Sequence, residues 1–198
     1  MPASGRTWGG TTLTDRRAAR RELLLDTGLE LLGGSGSAAV TVRAVCRTAK
    51  LTERYFYESF TDRDDLVLAV YDRVAEQAQQ ALMDAVRGAG SSDRERAETA
   101  VTAFVELIVD DPRKGRVLLL TPLTDPPLSR RGVELIPAFA TLIREQLPAK
   151  ADATDTEMTA IALVGALTNL FVAYLGGTLT VTRERLAEHC VRLLLASY

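Results

Sequence analysis

The stretch that decides the fold runs Val40-Thr-Val-Arg-Ala-Val-Cys-Arg-Thr-Ala-Lys-Leu-Thr-Glu-Arg-Tyr-Phe-Tyr-Glu-Ser-Phe-Thr-Asp-Arg-Asp-Asp-Leu66. Thr41 is a natural N-cap, and behind it Val42, Val45, Cys46 and Ala49 recur at i, i+3, i+4 and i+7, which predicts an apolar stripe on a helix of about two turns. A turn follows at Lys50-Leu51. Thr52 is then placed to cap a second short helix in which Phe56 and Phe60 face inward, leaving Glu53, Arg54, Tyr55 and Tyr57 outward. Asp62 caps a third helix, with Asp65 three positions on. Helix, tight turn and helix with polar and aromatic groups outward is the geometry of a helix-turn-helix, whose second helix enters a DNA major groove.

The same residues resemble the tetracycline-repressor (TetR) family, whose signature runs roughly Thr-Val-x-x-Ile-Ala-x-x-Ala-Gly-Val-Ser-x-x-x-Phe-Tyr-x-x-Phe-x-x-Lys-x-x-Leu. The chain matches it at Thr41, Val42, Ala49, Leu51, Thr52, Phe56, Tyr57, Phe60, Arg63 and Leu66, over about the first third of its length. The resemblance implies a three-helix reading head followed by a helical ligand-binding and dimerisation body. It also implies that Thr41, Thr52, Tyr57 and Arg63 hold DNA phosphates, and that Arg20 and Arg21 of the first helix touch the backbone. One departure is Lys50, where the family has glycine or another small residue. A left-handed Lys50 is costly, although its ammonium adds a phosphate contact.

Chemistry assigns the base-reading roles. Arg54 can fork onto guanine O6 and N7, Glu53 can accept from a cytosine amino group, and Tyr55 can offer a ring edge to a thymine methyl.

The charge balance agrees with a DNA-facing head. Residues 1–60 carry nine Lys/Arg against six Asp/Glu, a net +3, and the remainder carries −5, giving −2 overall. Cys46 and Cys190 lie far apart on apolar faces with no disulfide pattern, so a reducing cytoplasm is expected and Cys46 reads as a small buried hydrophobe rather than a redox switch. The N-terminus has no continuous apolar segment of the secretory type.

The pattern predicts an all-α chain of about nine helices. Residues 1–13 read as a disordered lead-in, 14–65 as the helix-turn-helix domain and 66–198 as the body. In the first helix Leu24, Leu25, Gly28, Leu31 and Leu32 form the stripe. Gly28 suggests a close backbone approach, and Gly33, Gly34 and Gly36 are expected to end the helix. Arg16, Arg17, Arg20 and Arg21 crowd its N-terminal end, where an anion such as phosphate would offset them. From Asp62 an amphipathic rod extends to about Val86, nearly 40 Å at 1.5 Å per residue.

Ser92 with Glu95 forms a capping box for a helix with Val101, Phe104, Val105 and Ile108 inward. Pro122 to Pro127 reads as a loop, Ser129 as the cap of a helix to about Leu147, and Pro137 as either a kink or a first turn. A polar linker spans residues 149–156, and no charge appears between Glu157 and Arg183. That segment is long enough to cross a bilayer, but Thr168 and Asn169 interrupt it, and a partner subunit accounts for its all-round apolarity. The last helix follows Thr182, with Leu186, Cys190, Leu193 and Leu194 as its stripe.

The resemblance implies a homodimer through the helices Ile161 to Leu175 and Leu186 to Leu195, with no membrane partner. Its two heads would face adjacent major grooves of a pseudo-palindromic operator. A pocket for an unidentified small-molecule effector is expected among Tyr71, Phe104, Ile108, Phe139, Ile143, Thr168, Asn169 and Phe171. The functional expectation is a repressor that a small hydrophobic ligand releases from DNA. The competing one is a helical ligand-sequestering or interaction protein without DNA binding, kept open by the acidic Glu53 and Glu58. Catalysis is not expected: the single histidine, His189, has no partners in a catalytic or metal-spaced pattern, and no cofactor motif is present.

Overall fold

The computed structural model describes residues 13–90, 92–147 and 152–197, so the expected lead-in falls outside the described residues except for Leu13. Among the described residues there are nine α-helices and no strand. The chain divides into two compact units, one up to Val70 and one from Tyr71.

The first unit holds α1 (Leu13–Ser35), a 3-10 turn (Ser37–Ala39), α2 (Val42–Ala49), α3 (Glu53–Tyr57) and the first two turns of α4 (Arg63–Gly88). Leu24, Leu25 and Leu32 of α1, Val45, Cys46 and Ala49 of α2, Phe56 of α3 and Leu66, Val67 and Val70 of α4 are all buried. A Cβ built on Gly28 would stand 2.8 Å from Val70 Cγ2, so α1 passes α4 at a distance only glycine allows. Gly33 and Gly34 do not end α1 as expected. The helix runs through them to Ser35 and stops at Gly36, where φ of +81° turns the chain. Glycine only weakens a helix interior, whereas a left-handed residue ends it.

Thr41 Oγ1 accepts a hydrogen bond from the Ala44 amide at 3.1 Å and so caps α2. Lys50 closes α2 in the left-handed conformation, φ 54° and ψ 38°, while the Leu51 amide returns to the Cys46 carbonyl at 2.9 Å. Thr52 holds the N-cap position of α3, but its side chain makes no cap bond, contrary to expectation. Asp62 Oδ1 accepts from the Asp65 amide at 2.9 Å, and Asp65 Oδ2 accepts from the Thr61 amide at 2.8 Å.

Strain at Lys50 gives a first prediction. The left-handed region costs a non-glycine residue roughly 1–2 kcal/mol, and glycine's freer unfolded chain offsets part of this. Lys50→Gly should therefore stabilise the protein by about 1 kcal/mol. In thermal unfolding followed by circular dichroism the midpoint should rise by a few degrees; an unchanged or lower midpoint would show that the turn is not strained.

The second unit continues α4 and adds α5 (Asp93–Ile108), α6 (Pro112–Gly115), a π-helical turn (Arg116–Leu120), a 3-10 turn (Thr121–Leu123), α7 (Pro126–Arg144), α8 (Ala153–Leu175) and α9 (Arg183–Leu195). Ser92 and Glu95 make the expected capping box on α5. The expected loop from Pro122 to Pro127 is largely helical. Asp125 accepts from the Leu128 amide and caps α7, which opens on Pro126, so Ser129 lies inside the helix. A carboxylate cap followed by proline at the first helical position outweighs a serine three residues on. Pro137 also lies inside α7, where it gives up one backbone hydrogen bond.

The polar linker is shorter than expected, since Asp152 caps α8 through the Thr154 amide at 2.7 Å. Residues 149–151 of that linker lie outside the described residues. Ala140 and Leu147 pack with Ala160 and Leu163 into a core shared by α7 and α8, against which Leu193 and Leu194 of α9 lean. Arg144 bridges to Glu157 at 3.0 Å, and Arg183 clamps Asp110 at 2.8 and 2.9 Å. The charged outer face of α9 includes Glu184, Arg185, Glu188, His189 and Arg192, while Leu186 and Cys190 are buried. Leu193, Leu194 and Leu195 of the same helix are half-buried.

Candidate nucleic-acid interface and ligand cavity

Phe56 is fully buried, with its ring edge-on to Tyr57 at 5.4 Å and tilted against Phe60 at 5.8 Å. That anchor turns the rest of α3 outward. Glu53, Arg54, Tyr55 and Tyr57 are all exposed, Arg54 with 86% of its side chain accessible.

Acidic groups on α3 are matched by arginines from three elements. Glu58 receives Arg20 at 3.2 Å and Arg54 at 3.5 Å, while its carbonyl accepts from Arg17. Glu53 faces Arg43 of α2 at 3.9 Å. Arg20 also lies over the Tyr55 ring at 4.4 Å, and Arg21 over the Phe60 ring at 5.0 Å. The two first-helix arginines thus brace α3.

Arg63 also turns inward. Its Nε donates to the Val40 carbonyl at 3.2 Å and its terminal nitrogens to the Ser37 carbonyl at 2.8 Å, the Ser37 hydroxyl and Asp64. It ties the start of α4 to the turn before α2. Thr41 and Thr52 are exposed at the starts of α2 and α3, and Lys50 is exposed in the turn between them. The surface also carries Arg43, 93% accessible, and the exposed Arg47, which the sequence reading passed over. Their spacing of i and i+4, opposite the Val42 stripe, was the available signal.

Cys46 is buried, and burial followed by the nearby Glu53 pushes its thiol up. It stays protonated at neutral pH and is a packing group rather than a nucleophile.

The second unit carries a cavity of about 840 Å³, open to solvent on one side and lined by α4, α5, the segment 118–123, α7, α8 and α9. Tyr71, Phe104, Phe139, Ile143, Thr168, Asn169 and Phe171 all line it. Ile108, expected there too, is fully buried and does not. Phe104 and Phe171 meet edge to face at 5.2 Å. Asn169 donates its amide to the Gly165 carbonyl at 2.9 Å, a bond within its own helix. Tyr71 is 3% exposed, and burial pushes its phenol up to about 12. Among the described residues no group of three or more His, Cys, Asp or Glu side chains is gathered as metal ligands.

A capped helix-turn-helix on one unit and an apolar cavity in another define the class of helix-turn-helix regulators with an all-helical body. Residues 24–70, which span most of the first unit, match the family model described as bacterial regulatory proteins, tetR family. No curated protein matches it.

Three solved structures place the fold. A TetR-like transcriptional regulator from Rhodococcus sp. RHA1 is 23% identical with a TM-score of 0.67, covering 91% of this chain and 98% of its own. FadR from Bacillus subtilis, solved in complex with stearoyl-CoA, is 12% identical with a TM-score of 0.75 over 89% and 98%. The multidrug binding protein EbrR, complexed with imidazole, is 20% identical with a TM-score of 0.68 over 94% and 97%. At these identities the likeness concerns the fold.

Proposed function

We propose that the protein is a homodimeric, DNA-binding transcriptional repressor that leaves a pseudo-palindromic operator when a small hydrophobic ligand fills the cavity. The observation that carries the reading is the exposed basic rim of Arg43, Arg47, Lys50 and Arg54 around an α3 anchored by Phe56. Arg54 and Tyr55 read base edges, while Thr41, Lys50, Thr52, Tyr57 and Arg43 hold phosphates. Arg20, Arg21 and Arg63 orient the reading helix. Glu53 and Glu58 each lie against arginine, which favours DNA binding over an interaction protein without it.

Two heads need one frame. Met158, Ile161, Ala162, Gly165, Ala166 and Asn169 of α8 are all exposed at i, i+3, i+4, i+7, i+8 and i+11. Three of them are alanine or glycine, which lets a second helix approach closely. By length and composition α8 could cross a membrane, and only 17% of its apolar window is buried. We assign its open face to the partner's α8, because Asn169 sits within that face and Asp152 caps the helix in a polar setting. The protein then works in the cytoplasm, where its operator is. A ligand acts by favouring one arrangement of the two heads, as it does in ligand-responsive regulators generally, and α4 has residues in both units. The ligand-bound neighbours FadR and EbrR support a ligand role for the cavity.

A gel shift against the DNA upstream of the chain's own gene tests the reading, and binding should weaken steeply with added salt. Arg54→Ala should relax base preference at one operator position and cost about 1–3 kcal/mol. Unchanged affinity and footprint would remove Arg54 from the reading set, and failure to bind any duplex at low salt would remove DNA binding altogether.

A further inference from the structure

Glu58 stands where local physics disfavours a carboxylate. It is the C-cap of α3, at the partly negative end of the helix, and it follows Arg54 by four positions, the weaker order for an ion pair along a helix. It also sets a negative charge beside a surface whose exposed cations Arg43, Arg47, Lys50 and Arg54 suit phosphate. An exposed ion pair adds little to stability in water, so the Arg54 contact is not explained by folding.

What this carboxylate has is reach. Its Oε1 lies 3.5 Å from Nε of Arg54 and its Oε2 lies 3.2 Å from a terminal nitrogen of Arg20, while the Glu58 carbonyl accepts from Arg17. Arg20 in turn lies over the Tyr55 ring at 4.4 Å. Glu58 thus holds Arg54 directly and Tyr55 through Arg20, and these are the two α3 groups proposed to read base edges.

The geometry suits that task. Glu58 meets Arg54 at Nε, on the flank of the guanidinium, which keeps the two terminal nitrogens at the end that forks onto guanine O6 and N7. Arg20 covers one face of the Tyr55 ring and leaves its edge and other face to the groove. The Arg20–Glu58 pair is part-buried, so the network is fixed on the α1 side and open on the DNA side. Without that anchor an arginine as exposed as Arg54 samples many rotamers, and its guanidinium meets a nearby phosphate as readily as a guanine.

We propose that Glu58 is a positioning residue for base readout: it sets Arg54 and Tyr55 for one register of base edges and, by its charge, holds down binding to unrelated duplexes. The proposal rests on the reading that α3 binds DNA.

The test is fluorescence anisotropy of the full-length protein on a duplex from the DNA upstream of its own gene and on an unrelated duplex of equal length. Glu58→Gln should raise affinity for the unrelated duplex about two- to fivefold, because a negative charge leaves the DNA-facing surface. It should also cut the ratio of operator to unrelated affinity about three- to tenfold. Glu58→Asp keeps the charge but is shorter by about 1.5 Å, which takes the 3.5 Å contact to Arg54 out of ion-pair range. It should cut the ratio while leaving the unrelated duplex within about twofold of wild type. At the operator position that Arg54→Ala relaxes, Glu58→Gln should add less than about twofold in the Arg54→Ala background. An equal rise on both duplexes would make Glu58 an electrostatic brake only, and an equal fall with a lower thermal midpoint would make it a structural brace only. Either result, or additive losses with Arg54→Ala, overturns the proposal. Wild-type protein that prefers no duplex at low salt overturns it together with the DNA-binding reading, whereas specific binding by wild type with an unchanged ratio in both Glu58 variants overturns this proposal alone.

Discussion

Replacing Ala166 with arginine is expected to turn the protein into a monomer and to weaken its hold on a full operator by about 10²–10⁴-fold. Ala166 is exposed near the middle of the α8 stripe and, unlike Ile161, Gly165 and Asn169 of that stripe, does not line the cavity. In a dimer built on that stripe, two-fold symmetry brings the two arginines close together in an apolar contact, where like charges must lose water without gaining a partner. A lone reading helix then binds with the affinity of one half-site, losing the high effective concentration that a rigid pair gives the second head. Sedimentation velocity reports the first effect, and fluorescence anisotropy on full and half operators reports the second. A dimer that survives the substitution would show that α8 is not the interface. A monomer that still bound the full operator at wild-type strength would sink the two-headed mechanism.

What was legible in the sequence was local. Thr41, Asp62 and the Ser92/Glu95 pair act on amides two or three residues away, so their roles follow from spacing alone. Phe56 and the Val45, Cys46 and Ala49 stripe follow from helical period, and Gly28 from the cost of a glycine in mid-helix. Lys50 in the left-handed turn was visible as a departure from the family pattern.

What stayed hidden depends on partners far along the chain. Spacing does not reveal that Arg20 pairs with Glu58, thirty-eight positions away. Nor does it reveal that Arg63 spans to Ser37 and Val40. Phe104 and Ile108 occupy one face of α5 one turn apart, yet the first lines the cavity and the second is solid core. Periodicity gives a side chain's face but not whether that face meets a void. The start of α7 was misread for a different reason, since prolines after Asp125 signal both a loop and a helix's first turn.

Phe56→Ala is expected to unfold the reading head while the body keeps its helices. Removing a fully buried phenylalanine costs about 3–5 kcal/mol, and the ring contacts with Tyr57 and Phe60 add to that. At roughly 0.05–0.15 kcal/mol per residue, a unit as small as the first has a total stability of similar size. The second unit has its own core around Ala140, Leu147, Ala160 and Leu163, far from the substitution in sequence. Hydrogen exchange should therefore lose protection from α1 through α3 and retain it in α7 and α8, with helical circular dichroism reduced but not lost. Binding to operator and to unrelated duplexes should fall together, whereas Arg54→Ala alters preference at one base position. Binding of the neutral fluorescent probe N-phenyl-1-naphthylamine in the cavity should be unaffected. If exchange instead collapsed throughout the chain, the two units would be one cooperative system, and if the head stayed protected, Phe56 would not be the anchor that sets α3.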